Sequence, residues 1–251
     1  MNRNKELDGK VAIVTGSARN IGKAVAEELA RAGAAVTINA VDDQKACKEV
    51  AQDIVNSGGR AIPVMADITD QAHVDNLIYQ TTKSFGGVDI LILNAAIRID
   101  TPFLERSFKD WRRATAVAVD GSFRLSTACV PSMINRGGGA IVGVHGMQAY
   151  TAAYGKNPAA KDAQAGMLRG MARDLGRYNI TCNIAVVGSF DTDRMGSSGE
   201  LATPDLSDST PLRRRGVPQD MANCIRFLVG PYATYISGQS IHLNGAYCMP
   251  H

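Results

Sequence analysis

The sequence predicts an α/β protein: a doubly wound, mostly parallel seven-stranded sheet with helices on both faces, in a single domain over residues 1–251. Three observations lead there. Short apolar runs rich in β-branched residues recur along the chain. Their hydrophobicity is near-continuous rather than alternating, as in strands covered on both faces. The stretches between them carry the helical period, so strand and helix alternate throughout and right-handed βαβ units follow.

The first strand is Val11 to Thr15, and the turn after it opens a helix on which Val25 and Leu29 stand four apart. Ala35 to Asn39 and Ala61 to Met65 are the second and third strands. Val74, Leu77, Ile78, Thr81 and Phe85 then mark one face of a helix, ahead of the fourth strand, Ile90 to Leu93. Ala140 to Val144 is the fifth. Met167, Met171 and Leu175 repeat every four residues before the sixth, Ile180 to Val187, and Ile241 to Leu243 is the last. No interior linker, repeat or low-complexity tract divides the chain. Asp191 to Arg215 breaks the regularity, because Gly, Ser, Pro, Asp and Arg crowd there without a period. Such a loop at the carboxyl ends of a sheet is placed to cover a ligand.

Composition narrows the function classes. With 45% hydrophobic and 20% charged residues the chain has the balance of a globular protein. Lys and Arg exceed Asp and Glu by 27 − 24 = 3, too slight an excess for the basic face that nucleic acid or an anionic membrane needs, so neither partner is expected. No stretch reaches the roughly 18 apolar residues of a membrane span. With a polar Met1 to Lys10, the expectation is a cytoplasmic protein. Cys47, Cys129, Cys182, Cys224 and Cys248 are odd in number and far apart, so neither a disulfide framework nor a metal site follows.

The chemistry begins at Thr15-Gly16-Ser17-Ala18-Arg19-Asn20-Ile21-Gly22, between the first strand and its helix. Glycines there let the backbone approach a pyrophosphate that the helix N-terminus holds through free N–H groups and its dipole. The turn resembles the T-G-x-x-x-G-x-G signature of the short-chain dehydrogenase/reductase family, with Asn20 in place of the middle glycine. Asn tolerates a left-handed backbone better than most residues. More marks of the family follow in order: Asp67-Ile68, Asn94-Ala95-Ala96, Lys161 followed by Gly166, and Gly238-Gln239. Asn183 to Thr192 looks like N-x-x-x-P-G-x-x-x-T with Val187 at the proline. The resemblance covers essentially the whole chain and implies a Rossmann-type fold with a nicotinamide dinucleotide across the strand ends.

Carried over residue by residue, the resemblance implies that the turn, with Gly16, Ser17, Arg19, Asn20, Ile21 and Gly22, holds the pyrophosphate. Asp67 and Ile68 flank the adenine, and Asn94 and Ala95 line the cofactor's edge. Lys161 reaches the nicotinamide ribose, and Gly188 and Thr192 the carboxamide. Capping of the next helix is the plainer role for Asp67. NAD binders usually carry an acid at the end of the second strand. Here that position is Ala40, while Arg19 can pair with a 2′-phosphate, so NADP is expected over NAD despite Asp42 and Asp43 nearby.

The family's reaction uses a tyrosine to pass the proton, a lysine four residues on to lower its pKa, a serine on the substrate oxygen and an asparagine holding a water relay. Lys161 is present. Asn157 stands at the tyrosine position, Ala118 at the asparagine, and Gly146, or His145 if the following loop is one residue shorter, at the serine, so ordinary ketone and alcohol activity is expected to be feeble. The segment after the fifth strand carries His145, Tyr150 and Tyr154, any of which offers a relocated proton donor, His145 first. The expectation is an NAD(P)-dependent oxidoreductase with a relocated donor; the alternative is a dinucleotide-binding scaffold or a non-redox enzyme. The partner is a small-molecule substrate, on which the residues are nearly silent. Arg213-Arg214-Arg215 reads as a solvated face before an acid-binding one. The resemblance further implies a homotetramer or homodimer, packed through Trp111 to Ile134 and Lys161 to Tyr178.

Overall fold

The computed structural model describes residues 5–97, 99, 101–151, 158–193 and 207–249. Seven parallel strands form one sheet in the order β3-β2-β1-β4-β5-β6-β7. They are β1 (Val11–Val14), β2 (Ala35–Ala40), β3 (Arg60–Met65), β4 (Ile90–Leu93), β5 (Gly139–Gly146), β6 (Ile180–Val187) and β7 (Ser240–Leu243). The seven apolar runs are these strands, within two residues at either end. β1, β2, β4, β5 and β6, each with a neighbour on both sides, are largely buried. β3 and β7 are the edges and are only partly covered. Pro63 sits in edge strand β3, where a missing ladder donor is tolerated.

The alternating pleat sends successive side chains to two cores. Ala12, Val14, Val36, Ile38, Ile90, Ile92 and Val142 pack against α1 (Asn20–Arg31), α2 (Gln44–Asn56) and α8 (Pro218–Val229). Ile13, Leu91, Leu93, Ile141, Ile184 and Val186 face α3 (Gln71–Phe85), α5 (Gly121–Asn135) and α7 (Pro158–Leu175). On α7 the buried line runs through Ala165 and Leu168, with Met171 and Leu175 at its margin, so it is displaced by one residue from the methionine repeat. A shorter helix, α4 (Phe108–Thr115), runs into α5 through a π-helical turn over Ala116–Asp120. A last short helix, α6 (Gln148–Thr151), follows β5.

At the amino ends of the strands, Asp89 is buried and accepts from Val11 N at 2.9 Å, Arg136 Nε at 2.9 Å and Lys10 Nζ at 3.3 Å, tying β1 to α5. The opposite end is thereby left to binding. β5 runs two residues further than the apolar run, so His145 and Gly146 lie in the strand, paired with Val186 and Val187, rather than in a loop after it. Among the described residues no helix is long and apolar enough to cross a membrane.

Candidate active site

The sheet order reverses between β1 and β4, whose carboxyl ends lie side by side while their connections leave in opposite directions. Thr15 and Asn94 set that junction. The Thr15 hydroxyl donates to Ile92 O at 3.0 Å and accepts from Asn94 N and Ala95 N at 3.0 Å each. Asn94 Nδ2 donates back to Thr15 O at 2.8 Å and Gly16 O at 3.0 Å. The approach is too close for side chains: a Cβ on Gly22 would lie 2.6 Å from Asn94 Nδ2 and 2.8 Å from Ser17 Cα.

Gly16 has φ +60° and Asn20 has φ 51°, so the asparagine takes the left-handed backbone of the glycine it replaces. Its side chain adds a contact that glycine lacks, accepting from Asp193 N at 3.0 Å and holding the segment after β6 against the turn. Ser17 turns inward. Its hydroxyl donates to Val14 O at 2.7 Å and accepts from Asn39 N at 3.0 Å, so it braces the turn and leaves the cavity to its neighbours.

Asp43, Asp70 and Ser107 cap α2, α3 and α4 through their side chains, whereas α1 has no side-chain cap and no acid in its first turn. Its first N–H groups are therefore open to an anion in the cavity. This fits a pyrophosphate, as does a turn whose glycines leave no Cβ in the way. Asp70 caps α3, so Asp67 is not the cap; Asp67 Oδ1 accepts from Thr69 N at 2.9 Å and Thr69 Oγ1 at 2.7 Å.

A cavity of about 560 Å³ runs from the end of β2 across this turn to the ends of β5 and β6. Arg19, Asn20, Ile21, Asp67, Ile68, Asn94, Ala95, Gly188 and Thr192 all line it. At the β2 end stand Ala40, Asp42 and Asp43, and the Asp43 carboxylate is engaged by Ala46 N at 3.0 Å.

Lys161, His145, Gly146 and Gln148 line the far end. Lys161 Nζ donates to Val144 O at 2.8 Å and Gln164 Oε1 at 3.0 Å. His145 is 1% exposed. Its Nδ1 lies 2.9 Å from Gly146 O, and because a carbonyl only accepts, that nitrogen carries the proton. Nε2 is buried without a hydrogen-bond partner, 3.7 Å from Asp162 Oδ1. Burial first, and the Lys161 charge second, push the imidazole pKa down.

At Gly146 the space beside the α-carbon, where a side chain would stand, is filled by the Gln148 carboxamide. Ala118 lies in the π turn and offers the cavity no polar group. Tyr150 is off the cavity wall, its ring 5.9 Å from that of His145 and 4.5 Å from that of His242. Tyr154 and Asn157 lie outside the described residues. The arginine run is absorbed by the protein: Arg213 donates to Asp208 O, Arg214 pairs with Asp220, and Arg215 pairs with Asp191 and donates to Phe190 O. Sequence reading missed Gln148 and Gln164. A Gln two residues after Gly146 and a polar residue three after Lys161 were the available signals.

Switch point, uncapped helix and elongated cleft together define a dinucleotide-binding α/β protein. Comparison narrows this. A family profile described as enoyl-(acyl carrier protein) reductase matches residues 16–247. The 7alpha-hydroxysteroid dehydrogenase of Escherichia coli (strain K12) is 36% identical over 252 residues, 96% of this chain and 95% of that one. The 3-oxoacyl-(acyl-carrier-protein) reductase of Aquifex aeolicus (strain VF5) is 32% identical over 243 residues, 96% of this chain and 98% of its own. A solved 7 alpha-hydroxysteroid dehydrogenase complexed with NADH and 7-oxo glycochenodeoxycholic acid matches with a TM-score of 0.90 and 34% identity over 98% of this chain and 97% of that one. A blue fluorescent protein from a metagenomic library, in complex with NADPH, matches at 0.89 and 32% over 98% and 100%. The chain belongs to the short-chain dehydrogenase/reductase family.

Gly22→Ala tests the junction. The added methyl meets atoms of Gly16, Ser17 and Asn94 at overlapping distances, so urea unfolding should show a loss of roughly 1–3 kcal/mol. Unchanged stability would mean that the turn yields without cost.

Proposed function

We propose that the protein is an NAD(P)-dependent oxidoreductase that interconverts a secondary alcohol and a ketone, favours NADPH, and moves the proton through His145. The observation that carries this reading is the conjunction, along one cleft, of the open α1 N-terminus with Lys161 and a histidine whose Nε2 has no partner. The solved relatives support the cofactor class, since one is complexed with NADH and another with NADPH.

The Gly16 to Gly22 turn and α1 hold the pyrophosphate, Asp67 and Ile68 flank the adenine, and Asn94 and Ala95 line the edge. Gly188 and Thr192 serve the carboxamide. Lys161 serves the ribose. When bound, the nicotinamide supplies or takes up the hydride. Ala40 leaves no acid on β2 to repel a 2′-phosphate, and Arg19, exposed on the same cavity wall, pairs with it.

At the substrate carbon, Gln148, whose Oε1 fills the volume that a serine would occupy, donates an amide hydrogen to the oxygen from Nε2 at the edge of that volume. In the oxidation direction the hydroxyl proton passes through a relaying water to His145 Nε2, which is itself buried beneath the cleft wall. Its tautomer is fixed by the Nδ1–H bond to Gly146 O, and the Asp162 carboxylate stabilises the imidazolium that forms. In reduction the same proton returns to the oxygen. Phe108 and Phe123, exposed along α4 and α5, support self-association as a homotetramer or homodimer.

Calorimetric titration should show NADPH binding more tightly than NADH. Arg19→Ala should weaken NADPH about tenfold or more while leaving NADH within about twofold, because a hydrogen bond to a charged group contributes roughly 1.5–3 kcal/mol. Tighter NADH binding overturns the preference, and no heat with either overturns the site.

The pH dependence has a definite sign. The His145 pKa is lowered from 6.5, so the neutral base is present above that depressed value. Alcohol oxidation, assayed as kcat/KM on a panel of 3-hydroxyacyl thioesters and hydroxysteroids, should rise with pH through a value below 6.5 and then level, and ketone reduction should fall over the same range. His145→Gln should remove that limb. Gln148→Ala should cut kcat/KM about 10²-fold at every pH and keep the limb. A limb near the tyrosine value of about 10, unmoved by His145→Gln, would transfer the role to Tyr154.

A further inference from the structure

Two buried polar side chains, Gln164 and Ser122, have no part in the chemistry above, and each is only 1% exposed. A primary amide between a sheet and two helices is costly unless both its ends are bonded. Here they are: Gln164 Oε1 accepts from Lys161 Nζ at 3.0 Å, and Gln164 Nε2 donates to Ser122 Oγ at 2.6 Å. Lys161 and Gln164 stand three residues apart on α7 and so share a face of the helix. Ser122 stands on α5, four residues after Ala118 and one turn along the same face. The amide therefore links the ammonium on one helix to a hydroxyl on the other, beside the π turn where Ala118 contributes no polar atom.

The sheet makes room for this. A Cβ on Gly143 would lie 2.6 Å from Leu168 Cδ1 and 3.6 Å from Gln164 Oε1, so a glycine at that position lets α7 settle close to β5. With Val144 O on its other side at 2.8 Å, the ammonium is held between a strand carbonyl and a side-chain carbonyl that is itself fixed by Ser122.

We propose that Gln164, braced by Ser122, is the positioning residue that holds the Lys161 ammonium toward the nicotinamide ribose. This rests on the dinucleotide reading of the cleft. Gln164 lies off the cavity wall; it acts by orienting the lysine, and an apolar residue of its size would take away the side-chain carbonyl that holds the ammonium opposite Val144 O.

The test is a double-mutant cycle on NADPH affinity, read by fluorescence titration, with thermal unfolding followed in parallel. Gln164→Leu should weaken NADPH about tenfold while still unfolding in one cooperative transition, and Ser122→Ala should weaken it in the same direction by less. Gln164→Glu, whose carboxylate can still accept from Lys161 and from the Ser122 hydroxyl, should bind within about threefold of the wild type. In a Lys161→Ala background, Gln164→Leu should cost nothing further. Wild-type affinity in Gln164→Leu, or a full second loss on top of Lys161→Ala, overturns the proposal while leaving the dinucleotide reading intact. If Gln164→Leu fails to fold, weak binding by a folded Gln164→Glu also overturns it. Failure of the wild type itself to bind either dinucleotide removes the reading of the cleft and this proposal together.

Discussion

The closeness of β1 to β4 at their carboxyl ends is the constraint on which the site depends. Thr15 and Asn94 exchange hydrogen bonds across the switch point, and Gly22 leaves the Asn94 amide the room to do so. That contact fixes where the turn lies and therefore where α1 begins. The first turn of α1 is left without a side-chain cap and faces the cleft. Backbone donors that α2, α3 and α4 satisfy with a side-chain cap are here left open to an anion. Asn20 adds to the same geometry, since its left-handed backbone keeps the turn and its side chain ties down Asp193.

The far end of the cleft follows another logic. The motif spacing of the sequence puts Gly146 and Asn157 at the positions where the family's ordinary pattern is expected to carry a hydroxyl and a phenol. The emptied space at Gly146 is occupied by the carboxamide of Gln148, and the amide of Gln164 has joined Lys161 to α5. Both are neutral groups that donate and accept without titrating. Of the described groups around Lys161, His145 is the one able to change charge near neutrality. It is buried, its Nδ1 lies 2.9 Å from Gly146 O and its Nε2 lies 3.7 Å from Asp162 Oδ1, the arrangement on which the proposed proton path rests.

Local signals made much of this legible in the sequence. Near-continuous apolar runs placed the strands because a parallel sheet buries both faces of each, and Thr15 to Gly22 declared the turn because its backbone demands are short-range. What the sequence could not show depended on packing between distant elements. Gln164 gains meaning only when α7 lies against α5. Tyr150, close in sequence to the emptied serine position, points instead toward His242, since the short α6 turns its ring away from the cleft. Extension of β5 through Gly146 buries His145, which a strand ending at Val144 would have left in a loop. Ser17 sits in the nucleotide turn, yet its hydroxyl bonds to the protein.

The central claim is that the retained dinucleotide cleft still performs hydride transfer although the usual proton donor has been replaced. Its most direct measurement is the fate of deuterium when NADPH labelled at C4 of the nicotinamide is incubated with the protein and a panel of 3-oxoacyl thioesters and oxosteroids. The account predicts one deuterium on the carbinol carbon of the product, delivered from a single face of the nicotinamide. Tight NADPH binding with no label transferred to any member of the panel would contradict it and mark the protein as a dinucleotide-binding scaffold.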